Sequence, residues 1–496
     1  MDEDPFSGKT LHERLKLFLN ETNEERFLFE LTNFNKQVEK AENSYIASCF
    51  GSVSIHETLH QLIDRAAVCE ITDVEPSEYT KDVFRGRAAL SENVLESVHC
   101  LLNCLKYLPP EDVACGKTLR KISPRLLHLV SGNVVKNLWT RSSTVLKAKE
   151  VLQQLKTLYG ADEYSELLQV GVSSGEVSLR GDKYELSNPA ETLYSQYLAE
   201  VKQVLTKDSW RNYPVSVASF VWVLLHTKSP YLSDYLGQVL PLPLNMVDDF
   251  AVENKIVGVR CLHHIMENVS HEELRWYGRA DVVFEALKHQ LYTKHASLMT
   301  VLHPALLLIL SVVERPATRA HSRDTTRHDE IFKMIIYDSE MENNIHLRRS
   351  LTAHIPAFID VMGINAVCHM ASLVGLVSNY LEIYDGPEET SRLNALSVLK
   401  SLLLTVWPRV PAYAIVLLKC LLKFLYDVGA DETVTPQCVK EEMTRSATEC
   451  LLLLTKAAPD IVEPGLLSIC GTDTPLFVRK IAGKVCETFR TSGRDS

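Results

Sequence analysis

The sequence predicts an all-α chain, an irregular HEAT/armadillo-like α-solenoid of stacked helical hairpins, and two observations carry that prediction. The first is a single helix. In Asp249 to Val269, DFAVENKIVGVRCLHHIMENV, residues Val259, Leu262, Ile265, Met266 and Val269 recur at steps of three and four, which lays one apolar stripe along a helix. Asp249 and Glu253 precede the stripe and Arg260 sits one turn in. Such a helix cannot bury its stripe alone and needs neighbours. The second observation is that the same grammar returns. Counting from Arg260, it recurs after 43 residues at His303 in ASLMTVLHPALLLILSVV, after 46 at Arg349 in NNIHLRRSLTAHIPAFI, and after 43 at Arg392 in DGPEETSRLNALSVLKSLLL. Arg479, in DTPLFVRKIAGKVCETF, lies 87 residues beyond, two such steps. His303 replaces the basic residue, and no good copy falls midway between Arg392 and Arg479. Repeat periods of roughly 40 to 47 residues belong to HEAT and armadillo arrays.

Taken in order, three regions follow: residues 1–160, an N-terminal helical region; 161–188, a linker or small hairpin insertion; and 189–496, a HEAT-like α-solenoid. The opening MDEDPFSGKT is acidic and expected to fray. From Leu11 to Tyr159 the pattern is helical, with breaks expected at Pro76, at Pro109 with Pro110, and at Ser123 with Pro124, where Ser caps a helix that Pro begins. Gly160, Gly171, Gly175 and Gly181 interrupt it, and VSSGEVSLRGDKYEL alternates loosely enough for a hairpin or an ordered loop. Asn188, Pro189 and Glu191 then form a capping signal. Glu314 to Glu330 breaks the periodicity as an exposed loop. A helical turn there would align Arg315, Arg319, Arg323 and Arg327 into a basic docking strip; a solvated loop is the plainer reading. Asp385, Gly386 and Pro387 turn into a helix whose first turn carries Glu388 and Glu389, charges suited to the helix dipole, and Pro408 ends it.

Composition narrows the function. At 496 residues the chain is too long for one compact core. With 52 Lys plus Arg against 63 Asp plus Glu, its net charge of −11 disfavours nucleic acid and anionic membrane surfaces and leaves a protein partner. The 12 cysteines form no CxxC pair and sit mostly in apolar helical patterns, so they read as reduced thiols. The opening lacks a secretory layout, and no apolar run reaches the length of about 20 residues that crosses a bilayer.

Three stretches carry a resemblance: FVWVLLHTKSPYLSDYL from Phe220, VENKIVGVRCLHHIMENV, and YLEIYDGPEETSRLNAL with TVWPRVP from Tyr380 to Pro411. They resemble the TELO-two-interacting protein two family, the small α-solenoid subunit of the Triple-T cochaperone complex. The resemblance implies a non-enzymatic scaffold beside the two other Triple-T subunits, bound chiefly to the larger HEAT-repeat one through Phe220 to Ser496. Together with the heat-shock-protein-ninety machinery these support maturation and stability of phosphatidylinositol-kinase-related kinases, which serve DNA-damage and nutrient signalling, in cytoplasm and nucleus. The family carries over no catalytic, cofactor or metal residue.

Two rival readings come from other classes. HETLH, from His56 through Glu57 to His60, is an instance of HExxH, which on a helix sets two imidazoles one turn apart for zinc with a Glu as general base. The metzincin third ligand is missing, since Ile63 and Ala66 stand where its glycine and histidine belong, though Glu92 or Glu96 is available as a gluzincin ligand. An importin-like transport adaptor is also a long acidic solenoid. GKT at Gly8 and at Gly116 lacks the earlier phosphate-loop glycine, which is Glu3 or Glu111. His263 and His264 read as structural, and Trp222 as core. Partner-contact candidates are Trp276 and Tyr277, an aromatic pair beside charges, with Tyr384 and Trp407, because exposed aromatics bury much area at modest entropic cost.

Overall fold

The computed structural model describes residues 10–52, 55–72, 74–75, 78–105, 113–172, 188–314, 325–431, 435–471 and 474–492. Among the described residues the architecture is helical, with one isolated antiparallel bridge between Gly171 and Thr192. The expected breaks at Pro76 and Pro109–Pro110 lie outside the described residues, as do most of the VSSGEVSLRGDKYEL stretch and Arg315, Arg319 and Arg323. The chain divides into two compact units: Met1–Ala251 with His264–Glu273, and Val252–His263 with Leu274–Ser496.

The first unit contains α1 (Leu11–Leu19), α2 (Glu24–Lys40), α3 (Asn43–Phe50), α4 (Ile55–Ala67), α5 (Arg87–Leu105), α6 (Val113–Asn133), α7 (Ser142–Tyr159), α8 (Tyr164–Leu168), α9 (Leu193–Val204), α10 (Pro214–His226), α11 (Leu236–Val239) and α12 (Pro241–Val247). Helices α1, α4, α6 and α10 pack in succession as one layer, and α2, α5 and α7 as the other. Helix α1 starts with a capping box, Thr10 and Glu13 each accepting from the other's backbone N–H. Within the first of these layers α6 and α10 come close where Gly132 meets Val215: a Cβ at Gly132 would lie 2.9 Å from Val215 Cγ1 and 3.1 Å from its carbonyl oxygen.

Two expected boundaries moved. No helix begins at Ser123–Pro124; α6 runs through Pro124, and the Ser123 hydroxyl bonds the Leu119 carbonyl at 2.7 Å instead of capping a new start. Burial of the whole turn outweighs the one hydrogen bond that proline removes. The Asn188–Pro189 signal produces only a 3-10 turn, Pro189–Glu191, and α9 begins beyond it with Thr192 as its N-cap.

Helix α13 (Val252–Asn268) carries the stripe that the sequence displays, with Val259, Leu262, Ile265 and Met266 buried along it, Val269 just past its end, and Arg260 exposed. After α14 (His271–Arg275) come α15 (Arg279–His289), α16 (Ala296–Val313), α17 (Arg327–Met341), α18 (Ile345–Thr352), α19 (Ile355–Met362), α20 (Met370–Glu382), α21 (Thr390–Thr405), α22 (Ala414–Ala430), α23 (Gln437–Ala457), α24 (Pro459–Cys470) and α25 (Leu476–Ser492). Within the second unit α17, α20, α22 and α24 stack as one layer, and α16, the broken helix α18–α19, α21, α23 and α25 as the other. The second-layer helices begin at residues 296, 345, 390, 437 and 476, which is the repeat made physical. The copy missing between Arg392 and Arg479 is α23. Its basic residue is Lys440, which reaches Asp431 at 3.5 Å.

Helix α16 corrects a length. The whole of Ala296–Val313, 18 residues without a formal charge, is helical, so it is long and apolar enough to cross a membrane, as is Ile345–Glu382 with its breaks. In the second unit α16 packs against α15 and α18 and buries Leu298, Met299, Leu302, Leu306, Ile309 and Leu310. Half of its residues are buried by that packing.

Candidate functional site

A dense polar construction in the second unit is the turn between α20 and α21. Asp385, Glu389, Ser391 and Arg392 are all buried there. The Asp385 carboxylate accepts from Ser391 N–H at 2.7 Å, from the Ser391 hydroxyl at 3.0 Å and from Arg349 Nε at 2.9 Å. Arg349 belongs to α18, one hairpin earlier, and its other arm reaches Glu388 at 3.2 Å. Glu389 is no first-turn residue: it stands at the N-cap of α21 with φ 50°, strained for a side chain with a Cβ. Buried, it accepts from Arg392 Nη1 at 3.1 Å, and burial raises its carboxyl above the ordinary range although Arg392 works the other way. Truncating one partner of such a pair is costly because the other is left desolvated and unpaired.

Above this turn lies a cleft of about 280 Å³ lined by Tyr384, Arg392, Asp427, Val428, Asp431 and Met443. Tyr384 forms an exposed wall, while Val428 and Met443 are buried. Partial burial, then the carboxylates of Glu389, Asp431 and Glu388, hold the Tyr384 phenol above its usual pKa. Asp427, Asp431 and Met443 come from the following hairpin, and nothing local in the sequence ties them to Tyr384.

The other candidates lie elsewhere. Trp407 opens the 3-10 segment Trp407–Tyr413 after α21 and is 60% exposed. Helix α21 has 16 residues, which places Tyr384 and Trp407 at opposite ends of a rod about 24 Å long. Trp276 and Tyr277 precede α15. Tyr277 is 90% exposed at φ 57°, beside Gly278 at φ 67°, with the Arg279 guanidinium 5.2 Å from its ring. The four aromatics are exposed and do not form one patch. Trp222, expected in the core, is half-buried and stacks on His226 with centroids 3.9 Å apart.

HETLH is on α4, but its second imidazole is engaged. His60 Nε2 bonds the Lys121 carbonyl at 3.0 Å, and burial lowers the pKa of His60. His56 and His60 meet edge-on at 6.0 Å. Of the carboxylates available as a third ligand, Glu96 is bound to Lys147 at 2.8 Å. Among the described residues the one gathering of three metal-ligating groups is Glu39, Glu96 and Cys100, away from that motif. The Cys100 thiol there is pushed up to about 12 by burial and the adjoining carboxylates.

Residues 174–388 match the model of the Tti2 family. The resemblance, dense in the sequence from Phe220 to about Val439, is borne out over the part of it that this match spans. The chain is 40% identical over 276 residues to TELO2-interacting protein 2 of Homo sapiens, covering 55% of this chain and 54% of the relative. It is 36% identical over 277 residues to the Mus musculus protein of the same name, again 55% and 54%. The chain thus aligns with about half the length of the curated relatives it matches. Solved structures with some likeness include a Kap121p mutant, 14% identical with TM-score 0.47, covering 96% of this chain and 45% of that one. Another is yeast importin-beta (Kap95p), 13% identical with TM-score 0.44, covering 97% and 63%. At these TM-scores neither likeness bears on fold or partner.

Proposed function

We propose, from the match of residues 174–388 to the Tti2 family, that this chain is a non-enzymatic scaffold subunit of the Triple-T cochaperone complex. It binds the two other subunits, chiefly the larger HEAT-repeat one, and through them meets the heat-shock-protein-ninety machinery. In this role it supports maturation and stability of phosphatidylinositol-kinase-related kinases in cytoplasm and nucleus. The observation that carries the reading is the 40% identity to a relative named for interacting with TELO2. The hairpin architecture supports it, because stacked helices offer long edges and faces for other polypeptides. So does the absorption of the buried charges at Asp385–Arg392 into packing rather than chemistry. A tagged full chain purified from its own cells is expected to bring down both other subunits in stoichiometric amounts; recovery of neither would overturn the proposal. Depletion of the chain is expected to lower the level of those kinases, and fractionation to find it in both compartments.

A further inference from the structure

In the second unit the antiparallel hairpins alternate direction, so turns leading from the first layer to the second share one edge and the returns share the other. Trp276, Tyr277 and Trp407 fall on the return edge. On the forward edge lie Met341 and Ile345, Ile383 and Tyr384, and Tyr426, at the turns of three successive hairpins, each between 45% and 58% exposed. The same turns are acidic. Around the cleft the carboxylates Asp385, Glu388, Glu389, Asp427 and Asp431 outnumber the cations Arg349, Arg392 and Lys440. Arg349, Arg392 and Lys440 are committed to Asp385, Glu389 and Asp431, whereas Asp427, Glu340 and Glu342 have no ion-pair partner among the described residues.

We propose that this edge, centred on the Tyr384–Asp427 cleft, docks a basic amphipathic helix of a partner protein, which places one Lys or Arg side chain in the cleft. The inference rests on the scaffold reading above and adds where and by what chemistry the partner is held. A cleft of about 280 Å³ has room for one long side chain. Its acidic, aromatic walls suit a cation, which gains from the Asp427 carboxylate and from the face of the Tyr384 ring. The apolar residues of the three turns supply what the other face of an amphipathic helix needs. Packed helices lie about 8 to 10 Å apart, so three hairpins span about 20 Å, the length of about 13 helical residues.

The test uses the full chain, purified with its partners from cells, as wild type and as four variants. Asp427→Lys and Tyr384→Ala, singly and together, alter the cleft, and Trp407→Ala alters the opposite edge. Circular dichroism and thermal unfolding verify that each variant folds. In the wild-type complex a carbodiimide, which joins carboxylates to amines at zero length, is expected to link Asp427, Glu340 or Glu342 to lysines within one helical segment of a partner. The double cleft variant is expected to weaken that partner's binding about tenfold or more, and more steeply at low salt; Trp407→Ala is expected to leave it unchanged. Undiminished binding by the double variant overturns the inference and leaves the scaffold reading intact. So does loss with Trp407→Ala alone, or carbodiimide links only between two copies of this chain. Recovery of no partner by the wild type would instead overturn the scaffold reading itself.

Discussion

Replacing His303 by Leu is expected to stabilise the second unit, and to do so more at pH 5 than at pH 7. His303 lies in α16 with no exposed surface, and neither ring nitrogen has a hydrogen-bond partner among the described residues. The rings of His354 and Phe358 meet it edge-on at 5.9 and 6.2 Å. Burial, and then the nearby His354, lower its pKa from 6.5 to about 3. The folded pKa of this base is therefore depressed, so below pH 6.5 the unfolded chain takes up a proton that the folded chain refuses. Stability is whole above that pH and is lost progressively as pH falls toward 3. At pH 5 the unfolded imidazole is 1.5 units below its pKa of 6.5, and proton uptake favours unfolding by about 2 kcal/mol for any folded value well under 5. At pH 7 this contribution is almost absent. What remains there is relief of unpaired buried nitrogens, about 1 to 3 kcal/mol, less the cost of repacking leucine. Thermal unfolding of both proteins at the two pH values measures the difference. About 2 kcal/mol corresponds to roughly 4 to 8 °C in a unit of this size, so the gap in Tm should widen by that amount on acidification. His128 in the first unit, lowered to about 4 by burial, is common to both proteins and cancels. An equal gap at both pH values would refute the reasoning, because His303 would then not be a neutral base sealed in the core.

Three further outcomes follow from packing and pairing. Arg349→Ala leaves buried Asp385 without its cation and should cost about 3 kcal/mol in urea unfolding of the second unit, whereas Arg260→Ala, exposed on α13, should change it by less than about 0.5 kcal/mol. Gly132→Ala drives a methyl against the Val215 carbonyl and should lower stability by about 1 to 3 kcal/mol, read from the first unfolding transition by calorimetry. His60→Ala should leave metal content unchanged by plasma emission spectrometry, since its Nε2 is held by the Lys121 carbonyl; about one zinc per chain, lost in the variant, would reinstate the metalloprotease reading.

What the sequence displayed and what it concealed divide along one physical line. A buried stripe is written in consecutive turns of one helix, so Val259 to Val269 and the helices around Arg349, Arg392 and Arg479 could be found from their own residues. The copy at α23 pairs Lys440 with Asp431 before the helix, as α21 pairs Arg392 with Glu389, with lysine in the place that arginine holds there. His303 takes the place of the repeat's basic residue, yet its flanks, MTVLHPALLLIL, already make the environment apolar on every side. Ser123–Pro124 misled for the opposite reason: local preference for a helix start lost to the burial that α6 gains from continuing.

The site was less legible because its members come from different hairpins. Tyr384 and Trp407 are 23 residues apart and both are exposed aromatics in turns, so a linear reading treats them alike. The deciding quantity is parity. A chain that reverses at every turn sends odd and even turns to opposite edges, whatever their sequences. Tyr384 therefore shares its surroundings with Asp427 and Asp431 of the next forward turn, and Trp407 does not. Any contact surface built from such hairpins must collect its residues one full repeat apart, near 45 positions, rather than from neighbouring turns. That spacing makes the acid excess around Tyr384 invisible to any window shorter than a repeat. It also means that a substitution at Asp427 and one at Tyr384 should act on a single binding event, non-additively, while either combined with Trp407→Ala should add.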